Sequence, residues 1–121
     1  MLAGQIKKLG QIKLIDHPEP ELVKPGQVIF QPEMACLCGS DSPYFNKNQP
    51  SYPLPIGMSL HEMVGTIVCS NGGNLSVGQK VLAVPLNHEG IFERMAISED
   101  RIVIFESNRP SEEMVVAQPL G

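Results

Sequence analysis

The run Met63-Val64-Gly65-Thr66-Ile67-Val68-Cys69 predicts a β-strand, because β-branched and other apolar residues dominate it. Asn71-Gly72-Gly73 follows after Ser70 and predicts the turn that closes the strand. The eleven Gly and eleven Pro are spread along the chain rather than pooled in a linker. They divide the sequence into short segments, which favours β structure throughout.

The other predicted strands cover residues 5–9, 11–15, 27–35, 79–84, 90–97 and 102–105. Pro32 lacks a backbone N–H, so we expect it at a sheet edge or in a bulge. A short helical turn is predicted over residues 40–45, and a helix begins at Ser111. Many short strands without an alternating βα pattern predict a mainly β fold, a partly open β-barrel with short helices.

Length and composition indicate one globular domain over residues 1–121. The chain is 42% hydrophobic and 18% charged, which is ordinary for a soluble domain. A net charge of −4 gives no electrostatic basis for binding nucleic acid or an anionic membrane. No apolar run is long enough to span a membrane. Three cysteines, an odd number, argue against a disulfide framework and favour the reducing cytoplasm.

One feature suggests that the natural chain extends beyond Gly121. The predicted helix after Ser111 has nothing following it to pack against. No Gly-x-Gly-x-x-Gly follows a strand, so no dinucleotide site is visible in these residues.

A candidate metal site is formed by Cys38-Gly39-Ser40-Asp41 and His61-Glu62. A thiolate, an imidazole and an oxygen ligand suit Zn²⁺, and an incomplete protein shell leaves room for water or substrate. Asp41 supplies an acceptor that can orient a ligating imidazole. Neighbouring residues on a strand face opposite ways, so Glu62 can ligate the metal only from a non-extended backbone. Otherwise it lies just behind the ligands, or it is a catalytic carboxylate that swings in when water leaves.

Each of the other candidate residues has a simpler interpretation. An isolated cysteine is usually a small buried hydrophobe, and we expect this of Cys36 and Cys69. His17 precedes a proline and is expected in solvent. His88-Glu89 repeats the His-Glu pair in a polar loop without a neighbouring cysteine, so we expect no functional role for it.

The order and spacing of several motifs resemble the medium-chain, zinc-dependent alcohol dehydrogenase family. After the cysteine motif come Tyr52-Pro53-Leu54-Pro55-Ile56-Gly57, then His61-Glu62 with Gly65, then Val77-Gly78 with Val81. Nearly the whole chain is similar to the N-terminal, GroES-like catalytic domain of that family. The dinucleotide-binding Rossmann domain is absent from these residues.

The resemblance implies one catalytic zinc, held by Cys38 and His61 with Glu62 at or near the metal. Zinc then activates an alcohol as a Lewis acid, and hydride leaves to NAD or NADP. Ser40 matches a hydroxyl that relays the alcohol proton, and Asp41 matches a carboxylate that supports the ligands. The implied partner is a small alcohol or carbonyl substrate, and homo-oligomerisation is left open. Without its cofactor domain the isolated chain is expected to be inactive.

Four departures from the family pattern affect this interpretation. Met58-Ser59-Leu60 separates Gly57 from His61, where many members have Gly-His-Glu. Pro43 replaces a relay histidine. Gln118-Pro119 stands where one branch has a ligating Glu-Pro, so Gln118 is a weaker, neutral candidate and the third ligand is left open. The cysteine-rich lobe that binds a structural zinc is missing.

Two alternative functions follow from these departures. One is a metal-free oxidoreductase domain similar to the quinone reductase branch, which Pro43 and Gln118 favour. The other is a free-standing GroES-like binding or co-chaperonin module, a function that leaves the cysteine and histidine motifs without a purpose.

Overall fold

A computed structural model of the protein describes residues 1–22, 24–36, 52–60, 62–85 and 89–104. Seven strands lie within these ranges: β1 (Leu2–Lys8), β2 (Gln11–Asp16), β3 (Gln27–Cys36), β4 (Glu62–Ser70), β5 (Lys80–Ala83), β6 (Met95–Ser98) and β7 (Ile102–Ile104). A single 3₁₀ turn, Glu99–Arg101, joins β6 to β7. The described part of the chain is therefore mainly β, as the sequence predicts.

The first two strands form an antiparallel hairpin. Leu2 lies opposite Asp16, and Ile6 lies opposite Ile12. Gly10 turns the chain between them with φ of 73°, a left-handed value that glycine adopts without the steric cost of a side chain. The strands predicted over residues 5–9 and 11–15 are confirmed, with β1 beginning earlier, at Leu2.

The other five strands form one antiparallel sheet in the order β6-β3-β4-β5-β7. The long strands β3 and β4 lie at its centre, and the shorter strands flank them. The sheet curls around a core that includes Phe30, Met63, Ile67 and Val81, each fully buried. Burying one such side chain contributes roughly 1.5–3 kcal/mol. The curled sheet agrees with the partly open barrel predicted from the sequence.

Pro32 lies in β3 at an irregularity in the pairing with β4. The register shifts between Pro32 and Met34, and Pro32 lies opposite Gly65. The pairing of β3 with β6 extends only from Gln27 to Phe30, so Pro32 lies beyond it. A side chain on Gly65 would overlap the backbone carbonyl of Gln31, so glycine is required where the two strands approach closely. Of the two positions expected for Pro32, a sheet edge or a bulge, the structure shows a register irregularity within the β3–β4 pairing.

Two sequence predictions differ from the structure. The strand predicted over residues 90–97 begins only at Met95, because the preceding residues pair elsewhere. Phe92 bridges to Ala3, and Gly4 N–H donates to the carbonyl of Ile91 at 2.8 Å. Cys69, expected in the core, is exposed near the end of β4, and Cys36 is only partly buried. The helical turn over 40–45 and the helix after Ser111 lie outside the described residues.

Candidate functional site

The pairing of β3 with β4 defines the position of the candidate site. Cys36, the last residue of β3, lies opposite Glu62, the first residue of β4. In the sequence, Cys38 follows Cys36 by two positions and His61 directly precedes Glu62. The antiparallel register therefore brings together the strand ends that lead into both halves of the predicted site.

Glu62 is the predicted site residue that the structure describes. Only 1% of its surface is exposed, and it is the buried acidic residue of the described core. A carboxylate is costly to bury unless other groups stabilise its charge, so such residues are concentrated at functional sites and in polar networks. The role of Glu62 at or beside a metal stays a prediction.

The other predicted site residues are Cys38, Ser40, Asp41, His61 and Gln118, and they lie outside the described residues. Within the part of the chain that the structure describes, no three His, Cys, Asp or Glu side chains lie close enough to hold a metal ion. The structure therefore describes one member of the predicted site and the strand ends that lead to the Cys38 and His61 positions.

The segment 57–60 leads into the position of His61 and has an unusual backbone. Gly57 has φ of 80°, Ser59 of 106° and Leu60 of 59°. Positive φ is uncommon for residues with side chains, and two in succession are rarer still. Met58-Ser59-Leu60 departs from the family pattern in the sequence, but serine and leucine give no sequence signal for this conformation.

Residues 89–91 hold this segment from the other side. Met58 forms a bridge with Glu89, and the N–H groups of Gly90 and Ile91 donate to the carbonyl of Gly57 at 2.8 and 3.0 Å. Gly57 N–H in turn donates to the carbonyl of Gly4 in β1 at 2.7 Å. The segment is thus fixed to both the hairpin and the 89–91 stretch.

Glu89 is a second carboxyl with a perturbed environment. It is partly buried, and this burial raises the pKa of its carboxyl. Glu89 borders two clefts of about 330 and 370 Å³, one beside Lys24 and Arg101 and the other beside His17 and Phe92. Nothing in the sequence singles out Glu89 from its neighbour His88, which lies outside the described residues.

The ring of His17 packs edge-on against Phe92, with the ring centroids 5.3 Å apart. Its Nδ1 lies 3.0 Å from the carbonyl oxygen of Pro18. The side chain is therefore partly packed rather than fully in solvent, which differs from the sequence prediction.

Comparison with known proteins identifies the domain. Residues 24–101 match the family model described as the alcohol dehydrogenase GroES-like domain. This chain belongs to that family. The match covers β3 to β6 and the 3₁₀ turn that follows, including the Cys36–Glu62 pairing.

One curated relative of this GroES-like domain is a ribulose-5-phosphate reductase from Streptococcus pneumoniae. It is 29% identical over 90 residues, which cover 69% of this chain but 26% of the relative. The chain therefore spans about a quarter of that protein's length.

Solved structures show the same fold. Galactitol-1-phosphate dehydrogenase from Escherichia coli superposes with a TM-score of 0.80 at 19% identity, covering 95% of this chain and 41% of that one. An alcohol dehydrogenase from Thermus sp. ATN1 gives 0.78 at 18%, covering 97% and 43%. A quinone oxidoreductase from Thermus thermophilus gives 0.71 at 24%, covering 99% and 37%. The same fold thus occurs in polyol and alcohol dehydrogenases and in a quinone oxidoreductase, so the fold alone does not determine which reaction is catalysed.

No helix in the described ranges is long and apolar enough to cross a membrane.

Proposed function

We propose that this GroES-like domain is the zinc-binding catalytic domain of an NAD(P)-linked oxidoreductase that acts on a small alcohol, polyol or carbonyl compound. The observation that carries the proposal is the buried Glu62 opposite Cys36, at the strand ends that lead to His61 and Cys38. Family membership supports the oxidoreductase class.

The residues at this site suit zinc. Cysteine, histidine and a carboxylate are the side chains that Zn²⁺ prefers, and a partial protein shell is typical of a catalytic zinc. Consecutive Cα atoms are only about 3.8 Å apart, so chain connectivity keeps positions 38 and 61 near the Cys36–Glu62 pair. Cys38 and His61 would hold the ion, and Gln118 is a candidate neutral oxygen donor beside it.

Ser40, Asp41 and Glu62 would each have a separate role in the reaction. When bound, zinc supplies Lewis acidity that lowers the pKa of an alcohol substrate. Ser40 would accept the alcohol proton through its hydroxyl and pass it on to solvent. Asp41 would accept an N–H bond from the His61 imidazole and fix its orientation. Glu62, buried at the start of β4, would balance the positive charge of the ion or hydrogen-bond to its ligands.

The proposed substrate and cofactor rest on the relatives. A reductase of ribulose 5-phosphate and a dehydrogenase of galactitol 1-phosphate favour a sugar-derived alcohol or its carbonyl form. Hydride transfer between such a pair requires an acceptor, which we propose to be NAD or NADP bound by a separate domain. We further propose a cytoplasmic enzyme that can form homo-oligomers.

A metal-free reductase is the second candidate. The structural superposition on the quinone oxidoreductase from Thermus thermophilus covers 99% of this chain, so the fold is compatible with this candidate. In such an enzyme, Cys38 and His61 would have no metal to bind, and Glu62 would belong to a buried polar network. Activity of a longer chain, with its cofactor domain, that survives treatment with a chelator would favour this candidate.

Zinc content tests the two candidates directly. We expect about one zinc ion per chain in the wild type and almost none in Cys38→Ala. Cys69→Ala is the matched control, because Cys69 is an exposed thiol on the same sheet. Absence of zinc from the wild-type protein, after purification and reconstitution without chelators, would reject the zinc proposal and favour the metal-free reductase.

A further inference from the structure

The segment 57–60 is anchored at its start and constrained at its end. Gly57 donates to Gly4 and accepts from Gly90 and Ile91, so three backbone hydrogen bonds fix its entry. A side chain on Gly57 would overlap the ring of Phe92. The chain then makes two left-handed steps, at Ser59 and Leu60, immediately before position 61.

These left-handed steps need support from their surroundings. A leucine at φ of 59° and a serine at φ of 106° are disfavoured by contacts of their own Cβ atoms. Such conformations persist when several contacts with the surrounding structure hold them in place, and they are concentrated at functional sites. Ser59 is completely buried, so its backbone is enclosed by the protein.

Gly90 provides part of that enclosure. A methyl group on Gly90 would overlap the carbonyl oxygens of both Ser59 and Leu60. These are backbone atoms, so they cannot move aside as a flexible side chain can. The φ of Gly90 is not in the left-handed region, so its backbone conformation does not require glycine. Glycine is required because the carbonyl groups of Ser59 and Leu60 lie so close to it.

We propose that Gly90 and the left-handed pair Ser59-Leu60 form a positioning device for His61. The dihedral angles of Leu60 set the plane of the peptide that joins it to residue 61, so this segment determines how the chain enters the position of the proposed ligand. Gly90 acts through this segment without touching the metal. The inference rests on the proposed zinc site, because it assigns His61 as a ligand.

Cobalt and zinc affinities of the 121-residue chain test the proposal. Gly90→Ala should weaken binding of both ions about tenfold or more, as is typical when groups that orient a metal ligand are disturbed. The Co²⁺ absorption bands should also change, because they report ligand geometry. Gly73→Ala is the matched control: its methyl meets the flexible carboxylate of Glu99, outside the segment and its anchors. Unchanged affinity and spectrum in a folded Gly90→Ala would overturn the inference.

A second pair of variants keeps the test decisive if Gly90→Ala does not fold. Leu60→Asn and Leu60→Gly both remove the leucine side chain, but asparagine tolerates the left-handed conformation while glycine releases the backbone. We expect Leu60→Asn to bind Co²⁺ nearly as tightly as wild type and Leu60→Gly to bind about tenfold more weakly. Equal affinities of the two variants would contradict a positioning role.

Failure of the inference differs from failure of the proposed function. A wild-type chain that binds neither ion would reject the zinc site, and the positioning role with it. A wild-type chain that binds both ions, alongside variants that bind equally well, would reject only the positioning role. Melting temperatures of the metal-free variants separate either result from a general loss of stability.

Discussion

Cys36 and Glu62 face each other across the antiparallel pairing of β3 and β4, and the Glu62 side chain is 1% exposed. The buried carboxyl group of Glu62 therefore lies at the strand ends that are next in sequence to two other predicted ligands, Cys38 and His61. This relationship links the register of the fold to the proposed chemistry, and it gives the first prediction.

Replacing Glu62 by Gln should lower zinc affinity by about 10- to 100-fold, because it removes a negative charge at or next to the ion while keeping the shape of the side chain. Competition with a chromogenic chelator measures the affinity. Glu33→Gln is the control, since Glu33 is a carboxylate on β3 that pairs with Lys80 at 3.1 Å. Wild-type affinity in Glu62→Gln would show that this carboxyl does not act on a metal.

Gly65→Ala should destabilise the domain by about 2 to 3 kcal/mol, because its methyl group would overlap the carbonyl of Gln31 between the two central strands. Urea denaturation measures the free energy of unfolding. Gly72→Ala is the comparison: Gly72 has φ of 65° but open space around it, so a cost of about 1 kcal/mol comes from the backbone alone. Equal costs at the two positions would mean that the strands can separate to accept the methyl.

Glu19 and Arg94 should give the domain a small acid-sensitive stabilisation. Arg94 Nε donates to Glu19 Oε2 at 2.9 Å, and this hydrogen bonding lowers the pKa of the Glu19 carboxyl. A carboxyl whose pKa is lower in the folded state stabilises the protein above its unfolded-state pKa. That contribution disappears as the pH falls through the folded-state pKa.

Melting temperatures of wild type and Glu19→Gln, recorded from neutral to acidic pH, check this expectation. The variant should melt slightly lower at neutral pH, and the two curves should converge in acid. Because the pair is exposed, the difference should be small and should shrink further in high salt. A constant difference across the pH range would point to lost packing instead.

The ionised carboxylate of Glu89 should destabilise the domain at neutral pH, whereas that of Glu19 stabilises it. Burial raises the pKa of its carboxyl, so ionisation at neutral pH costs stability. Glu89→Gln should therefore raise the melting temperature at pH 7, and the gain should vanish as the pH falls below the pKa of the unfolded chain, where both states are protonated. A variant that melts lower than wild type at pH 7 would indicate that the carboxylate makes a favourable contact.

Much of the sheet could be predicted from the sequence. The run Met63–Cys69 lies within β4, and the segment 27–35 lies within β3, because apolar and β-branched residues bounded by turns leave few other structures. The missing N–H of Pro32 predicts either a sheet edge or a bulge, and the structure shows a register irregularity there. By contrast, Cys69 is expected in the core from its residue type, whereas it is exposed, three residues beyond the last β4 residue that pairs with β5, Thr66.

The site could be predicted only as a set of residues. Cysteine, histidine and glutamate at this spacing indicate zinc, but the register that brings Cys36 opposite Glu62 depends on long-range pairing that a linear pattern does not contain. The left-handed Ser59-Leu60 was equally invisible, because neither residue prefers that conformation. It follows from tertiary contacts with Gly90, far along the chain from Leu60.

The Cys36–Glu62 pairing also has an evolutionary consequence. It fixes both ends of the segment 37–61 in the sheet, so the separation of those ends does not depend on what lies between them. Doubling the length of such a segment costs only about 0.6 kcal/mol of chain entropy. Changes of length between positions 42 and 51, away from the proposed ligands and from the anchored residues 54–60, therefore cost little chain entropy, and descendants of one ancestral domain can diverge there while inheriting the same anchoring strands.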